Sequence, residues 1–326
     1  MYHFKPGTDR KGRAKLIFER AGELNSRLHS CSLCPRRCGV NRLLGERGFC
    51  RTALIVKIAR AVPHMGEEPV ISGTNGAGAI FFTGCHLGCL YCQNHQISQG
   101  GLGRPVTAAE LALIMFDLKR KGCHNIEWIS ATHVLPQAVE ALALAVQDGF
   151  DLPIVFNSGG YENPETIALL DGIVDIYMPD AKYALDDVGG ELSGVRDYPK
   201  WNGLAIDEMI RQVGLDLDVK HGLARKGIIV RHLVLPGYGV NSKEVLNRLA
   251  VRYGGKVNLS LMSQFFPAYK AGIHALLSQG LKGGEYEAIL DHAIGLGFEN
   301  GWMQDPTPVD PGDHPDFSNT RLDVMT

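Results

Sequence analysis

One segment of the chain determines its architecture: Ala79-Ile-Phe-Phe-Thr83 runs directly into Gly84-Cys85-His-Leu-Gly-Cys89-Leu-Tyr-Cys92. Its first five residues are mostly apolar and rich in strand-forming side chains, so they predict a buried strand. The loop that follows carries three cysteines with the spacing C-x3-C-x2-C. Three thiols on a short loop after a strand make a candidate metal site.

Outward from this stretch, strands alternate with helices and give six strand–helix units between residues 79 and 300. The later strands are predicted over 126–130, 152–156, 174–178, 227–235 and 257–262. This alternation predicts an α/β fold with a parallel sheet and right-handed crossovers. Periodicity leaves two arrangements open, a doubly wound sheet or an incomplete barrel. In either one, the site would lie at the carboxyl ends of the strands.

The three cysteines after the first strand have three interpretations. Three thiolates can hold three corners of a cubane iron–sulfur cluster and leave one iron open. Gly84 and Gly88 would let the loop wrap closely around such a cluster. A three-thiolate zinc site is the competing metal site, although structural zinc favours two separated C-x2-C pairs. The third interpretation is a group of buried thiols without a metal. We favour the cluster.

A second cysteine set comes earlier in the chain and consists of Cys31, Cys34, Cys38 and Cys50. Four sulfurs can close a structural zinc site, or they can hold a second iron–sulfur cluster. The sequence leaves both open. Several arginines crowd this motif, and their charge would offset that of the thiolates. Since no aromatic residues are interleaved and the chain is acidic overall, these arginines do not predict a nucleic-acid surface.

The composition is that of a globular protein. Of 326 residues, 45% are hydrophobic and 21% are charged, and the net charge is −2. This balance excludes disordered, collagen-like and coiled-coil chains and gives no reason to expect a membrane or nucleic-acid partner. No apolar run reaches the ~18 residues of a membrane span, and the N-terminus lacks the apolar core of a signal peptide. We therefore expect a cytoplasmic protein without a disulfide framework.

With Tyr91 before its third cysteine, the loop resembles the signature of the radical S-adenosylmethionine (SAM) superfamily. The resemblance implies a [4Fe-4S] cluster on Cys85, Cys89 and Cys92, with SAM chelated to the fourth iron and Tyr91 among the cofactor-binding residues. One electron, expected from a flavodoxin- or ferredoxin-type donor, would cleave SAM to methionine and a 5′-deoxyadenosyl radical that abstracts a substrate hydrogen. The resemblance also favours the superfamily's partial (βα)6 TIM-like barrel.

Four further stretches resemble the pyruvate formate-lyase activating enzyme-like branch with an N-terminal cysteine motif. They are Cys31-Ser-Leu-Cys-Pro-Arg-Arg-Cys38, Asn157-Ser-Gly-Gly-Tyr161, Tyr177-Met-Pro-Asp-Ala-Lys-Tyr183 and Arg231-His-Leu-Val-Leu-Pro-Gly237. The resemblance covers about residues 31–300. We predict a cysteine-rich metal-binding extension over 1–78, the barrel over 79–300 and an irregular tail over 301–326.

Polar residues at the ends of the second and third strands are candidates for SAM binding. Superfamily members usually place Gly-Gly-Glu after the second strand to hold the SAM amino group, and residues 130–133 do not match it. We expect Thr132 and His133 to take that role, although His133 could equally be a core histidine. Asn157, Ser158 and Gly159 leave room for a ribose or carboxylate against the backbone. The alternative is a plain turn.

The later strands add further candidates. Asp180 and Lys182 could bind SAM or substrate, or they could form a structural ion pair. Arg231 interrupts an apolar strand and needs a buried partner, for which the SAM carboxylate is suitable because it matches a guanidinium. Gln264 follows the sixth strand and could touch substrate. Residues 186–194 are expected to form a loop that covers the barrel mouth or lies in solvent.

Three functions fit these features. The first is a radical SAM enzyme that abstracts hydrogen from a protein or peptide, as activating enzymes do. The second is a radical SAM enzyme that acts on a small metabolite or cofactor precursor. The third is a non-catalytic metal-binding protein. A polypeptide or a small molecule that stimulates SAM cleavage would separate the first two, and absence of SAM binding would indicate the third.

Overall fold

The computed structural model describes residues 10–304 and residue 317. Its helices are α1 Arg10–Ser26, α2 Pro69–Ser72, α3 His95–Ser98, α4 Ala108–Arg120, α5 Leu135–Gln147, α6 Pro164–Ile167, α7 Asp186–Ser193, α8 Tyr198–Val213, α9 Gly239–Tyr253 and α10 Glu285–Gly295. Its strands are β1 Val56–His64, β2 Ala77–Phe82, β3 Arg104–Val106, β4 Ile126–Ile129, β5 Ile154–Ser158, β6 Ile176–Pro179, β7 Asp218–Lys220, β8 Leu223–Leu233, β9 Asn258–Met262 and β10 Gly301–Met303.

The strands form one sheet in the order β10-β9-β8-β6-β5-β4-β2-β1-β3, and β7 pairs with β8 off this row. From β2 to β10 each pairing along the row is parallel, whereas β1 is antiparallel to β2 and β3. The prediction of an α/β fold with a mostly parallel sheet is confirmed. The parallel strands follow one another in chain order, which differs from the order reversal of a doubly wound sheet.

The main core lies between one face of the sheet and the helices. Alternate strand residues, among them Trp128, Phe156 and Tyr177, point toward the helices and are fully buried. The spacing Thr107-Ala-Ala-Glu110 predicts a capping box at a helix start, and α4 begins with one, in which Thr107 and Glu110 bond each other's backbone N–H groups. Helix α5 is buried over most of its surface because α4 and α1 both pack against it. The residues before β2 are therefore joined to the sheet through α1 and β1.

Three local predictions differ from the structure. Residues 186–194, expected as a loop, form α7, whose first turn carries two aspartates and whose C-cap is Gly194 in the left-handed conformation. The apolar spacing predicts a helix that starts near residue 205, but α8 begins at Tyr198, with a proline in its first turn. The Asn241-Ser242 pair predicts the cap of the following helix, but Asn241 lies within the first turn of α9 and does not cap it. Its side chain instead accepts from the Ala184 N–H and donates to the Lys182 carbonyl.

The predicted irregular tail lies largely outside the described residues. Of residues 301–326, Gly301–Met303 form a short strand parallel to β9. Phe317 is buried and its ring lies 5.4 Å from that of Phe81.

Candidate functional site

The C-x3-C-x2-C loop leaves the carboxyl end of β2 and holds its three sulfurs close together. Burial raises the pKa of the Cys85 thiol, and the charges of Cys89 and Cys92 raise it further. Burial, followed by the charge of Cys89, raises the pKa of Cys92 to about 11. Each sulfur is therefore within electrostatic reach of the others. Thiols held this way ionise only when a cation or metal compensates them.

The chemistry of this donor set fits an iron–sulfur cluster. The Leu87 N–H donates to the Cys85 sulfur at 3.4 Å, and the Ser98 hydroxyl lies 3.2 Å from the Cys92 sulfur. Such donors stabilise thiolate sulfur in clusters. Within residues 10–304 and 317, no three His, Cys, Asp or Glu side chains converge to hold one metal ion. A cubane does not require that convergence, because each thiolate binds a different iron.

Two glycines of the loop allow very close packing. A Cβ on Gly84, whose φ is +94°, would lie 2.7 Å from the Cys50 carbonyl oxygen. A Cβ on Gly88 would lie 3.0 Å from the Phe49 ring. The loop is thus pressed against the chain around Cys50, as the close wrapping expected of these glycines requires.

Thr132 and His133, the two residues predicted to bind SAM after β4, both have hydrogen-bond partners within the protein. The Thr132 hydroxyl donates to Glu162 Oε2 at 2.8 Å. His133 Nε2 lies 2.8 Å from the Thr83 carbonyl oxygen, and the ring is 2% exposed. Burial lowers the pKa of His133 to about 4, so the imidazole is neutral at pH 7. These contacts match the core-histidine alternative for His133.

The predicted residues at the carboxyl end of β5, Asn157 and Ser158 within the strand and Gly159 just after it, divide between the cysteine loop and the interior of the sheet. A Cβ on Gly159 would lie 2.6 Å from Leu87 Cδ1, which places Gly159 directly against the loop between Cys85 and Cys89. Asn157 instead donates to Glu127 Oε1 at 2.8 Å. The Ser158 hydroxyl accepts from the Gly160 N–H at 3.3 Å.

The pair that follows β6 lies beside the cysteines. Lys182 Nζ lies 2.5 Å from Asp180 Oδ2, and both side chains are less than one-fifth exposed. Burial alone would lower the pKa of Lys182, but the charges of Asp180 and Cys89 outweigh it and hold the pKa well above its usual range. The ammonium in turn favours the thiolate of Cys92. Lys182 is thus a fixed positive charge at the loop.

Arg231 differs from the sequence expectation in its partner. Its guanidinium binds Glu68 through two hydrogen bonds of 2.9 and 2.7 Å and also binds Glu67. The carboxylates that were expected from SAM are supplied by the segment between β1 and α2. Burial alone would raise the pKa of Glu68, but Arg231 lowers it overall. Burial and neighbouring charges raise the pKa of Glu127, which lies in the same interior, well above its usual range.

Gln264 lies at the edge of the cysteine loop. Its backbone carbonyl accepts from Gln93 Nε2 at 3.2 Å, and Gln93 directly follows Cys92. Tyr91 packs in an aromatic cluster beside the loop, and its hydroxyl lies 2.7 Å from that of Tyr183.

The four N-terminal cysteines share one loop. Burial raises the pKa of Cys34 to about 12, against the lowering effect of a backbone hydrogen bond at Arg36 and with smaller contributions from the charges of Glu162, Cys50 and Cys31. Burial also raises the pKa of Cys38, and the charges of Cys31 and Cys50 act in the same direction. Cys34 and Cys38 are therefore each within electrostatic reach of Cys31 and Cys50. The loop they share is compact, because the Cys31 N–H donates to the Val40 carbonyl at 3.0 Å.

This N-terminal loop packs directly on the C-x3-C-x2-C loop. Arg36, between Cys34 and Cys38 in sequence, donates from Nε to the His86 carbonyl at 2.6 Å. Its guanidinium also stacks 3.5 Å from the centre of the Phe49 ring. The two cysteine sets are therefore neighbours in space, although their nearest members, Cys50 and Cys85, are 35 positions apart in the sequence.

Glu162 lies between the two sets and was not predicted from the sequence. It is fully buried, and its Oε1 lies 3.6 Å from His86 Nε2. Burial raises the pKa of Glu162 to about 8, against the lowering effect of Thr132 and Ser158. Burial lowers the pKa of His86 to about 3. At pH 7 the pair is therefore a neutral acid beside a neutral imidazole. The one indication of Glu162 in the sequence was that it lies five residues after Asn157, close to the end of a predicted strand.

No helix among the described residues is long and apolar enough to cross a membrane.

Comparison with known proteins gives two matches. The family model of the radical SAM superfamily matches residues 79–249, just over half of the chain. The chain is also similar to a protein of Methanocaldococcus jannaschii described as "Uncharacterized protein MJ0674", with 29% identity over 274 residues that cover 81% of this chain and 74% of the relative. The matched region contains most of β2, the C-x3-C-x2-C loop and strands β3 to β8.

Proposed function

The chain belongs to the radical SAM superfamily, and we propose that it uses SAM to abstract a hydrogen atom from a protein or peptide substrate, as an activating enzyme does. Membership implies an enzyme that binds a [4Fe-4S] cluster and cleaves SAM. The observation that carries the assignment is the cysteine loop after β2, with its three mutually close thiols and hydrogen-bond donors to sulfur. The type of substrate rests on the sequence resemblance to the activating enzyme-like branch.

In this proposal Cys85, Cys89 and Cys92 hold the cluster. When bound, the cluster and SAM supply reductive cleavage of a carbon–sulfur bond and the hydrogen abstraction that follows. The chain contributes a fixed positive charge, Lys182, beside the sulfurs. Gly159 keeps the space next to Leu87 free of a side chain. The buried aromatic residues around the loop exclude water from it.

The finer architecture and the second metal site belong to the same proposal. Strands in unbroken chain order support an incomplete barrel, since each parallel strand extends the row begun by β2. The electrostatic contact of Cys34 and Cys38 with Cys31 and Cys50 supports a second metal site there. It would hold an iron–sulfur cluster, which needs no convergence on one ion, or zinc, which would have to draw the four sulfurs together. We further propose a cytoplasmic protein that takes its electron from a flavodoxin- or ferredoxin-type donor.

The test begins with anaerobic reconstitution and counts of iron and zinc per chain. About four irons indicate one cluster, and about eight indicate that the N-terminal cysteines hold a second one. After addition of SAM and dithionite, 5′-deoxyadenosine should form. Cys89→Ala should abolish it. Cys123→Ala should not, because Cys123 is a buried cysteine outside both sets and packs in the main core.

The substrate is then sought in a cell extract divided into macromolecular and dialysable fractions. We expect the macromolecular fraction to stimulate deoxyadenosine formation and protease treatment to remove the effect. Stimulation by the dialysable fraction would indicate a small metabolite or cofactor precursor. A reconstituted cluster without any SAM binding or cleavage would overturn the enzyme proposal and favour a metal-binding protein.

A further inference from the structure

The C-terminal end of α7 is bonded to the cysteine loop. The Gly88 N–H donates to the Ser193 carbonyl at 3.1 Å, and the Leu90 N–H donates to the Leu192 carbonyl at 2.9 Å. These two backbone bonds flank Cys89 in sequence. They fix the position of Ser193 relative to the Cys89 sulfur.

Three buried hydroxyl groups form a chain that ends on this sulfur. Ser193 Oγ donates to Cys89 Sγ at 2.9 Å. Tyr183 Oη lies 2.6 Å from Ser193 Oγ, and Tyr91 Oη lies 2.7 Å from Tyr183 Oη. All three residues are buried, and the most exposed of them, Tyr91, is 6% exposed.

The protons of this chain have one consistent order. Each hydroxyl has a single proton to donate. Because Ser193 donates to the sulfur, it must accept from Tyr183, and Tyr183 must then accept from Tyr91. All three dipoles therefore point toward Cys89. Hydrogen bonds aligned in this way strengthen one another, and the low dielectric of a buried site adds to the effect.

We infer that the hydroxyls of Ser193, Tyr183 and Tyr91 act as positioning groups that raise the reduction potential of the cluster held by Cys89. A hydrogen bond to a ligating sulfur withdraws electron density from it and stabilises the more negatively charged, reduced cluster relative to the oxidised one. The inference rests on the proposed function, because it requires a cluster on Cys89. It assigns to α7 a role beside the cluster instead of the role of a loop over the barrel mouth.

The test compares Ser193→Ala, Tyr183→Phe and Tyr91→Phe with the wild-type protein after anaerobic reconstitution. The midpoint potential is measured by redox titration followed by electron paramagnetic resonance of the reduced cluster. We expect the reduced-to-oxidised ratio at a fixed potential to fall several-fold in Ser193→Ala and less in the two tyrosine variants. A tenfold fall corresponds to 59 mV for one electron.

Tyr177→Phe is the matched control. It also removes a buried phenol hydroxyl, one bonded to Gln212 at 2.6 Å on the helix-facing side of the sheet. We expect this variant to keep the wild-type potential.

The outcomes separate the inference from the function it rests on. If all variants load iron and titrate like the wild type, the inference is wrong and the proposed function stands. If the wild type binds no cluster, both are wrong. If Ser193→Ala alone fails to fold, Tyr183→Phe decides the matter, because it keeps Ser193 and all the cysteines. A shift of equal size in Tyr177→Phe would also overturn the inference.

Discussion

Replacement of Arg231 by methionine should destabilise the protein far more than an equivalent change at the surface. Arg231 is 11% exposed in its side chain and binds Glu67 and Glu68, which are 7% and 5% exposed. Methionine fills a similar volume but leaves both carboxylates without the arginine. Glu67 then keeps only the imidazole of His64, at 3.5 Å, as a charged partner. Glu68 keeps a hydrogen bond with Ser260. Breaking a buried ion pair by removing one partner costs about 3–5 kcal/mol.

The pH dependence of this loss has a definite sign. Arg231 holds the pKa of Glu68 below its usual 4.5, although burial alone would raise it. In the wild type, this interaction therefore stabilises the fold above pH 4.5 and is lost as the pH falls. In the variant, burial is opposed only by hydrogen bonds from Ser260 and the backbone, so we expect the pKa of Glu68 to rise and Glu68 to take up a proton on folding. The difference in unfolding free energy between the wild type and Arg231→Met should therefore become smaller as the pH is lowered from 8 to 5.

Urea denaturation at pH 8 and pH 5 measures both effects. The control is Arg211→Met, since Arg211 also binds two carboxylates, Glu208 and Asp171, but is 53% exposed. An exposed pair contributes about 0–1 kcal/mol. The reasoning would be refuted if the two variants lost the same stability, or if the loss at Arg231 did not change with pH.

Two further changes test the site. As the pH rises from 4.5 to about 8, the metal-free wild-type protein should lose up to roughly 1.4 kcal/mol of stability per pH unit, because Glu162 stays protonated in the folded state over this range. Thermal unfolding of Glu162→Gln should show a flatter dependence of stability on pH. The control Glu165→Gln, at an exposed position, should leave that dependence unchanged. Gly160→Ala should cost several kcal/mol in urea, because Gly160 has a φ of +72° and its Cβ would lie 1.9 Å from the Asp180 carbonyl oxygen. Gly22→Ala, in α1 with nothing within 4 Å of its Cβ, should instead stabilise by about 0.5–1 kcal/mol. Equal effects at the two glycines would contradict this explanation.

The sequence predicts those features of the fold and site that are set by residues close together in the chain. The apolar run before Gly84 predicted β2, and the capping box at Thr107 predicted the start of α4. The parallel sheet followed from the alternation of strands and helices. The cysteine spacing likewise predicted the loop that the superfamily match now covers.

The features that the sequence did not predict depend on partners far away in the chain. Arg231 needed a buried carboxylate, but nothing local identified Glu68, 163 residues earlier. Ser193 lies in a segment whose glycines and aspartates are typical of a loop. The same aspartates occupy the first turn of α7, where they favour the helix dipole, and Gly194 ends it.

The hydrogen bond between Ser193 and Cys89 also bears on how the protein matures in the cell. The two residues are 104 positions apart. At about 5–20 residues per second, the ribosome makes Ser193 roughly 5–20 seconds after Cys89. During that interval the three thiols of the loop exist without α7 beside them. A cluster inserted before α7 arrives would be less shielded from oxygen, so the nascent chain gains from taking up its iron late.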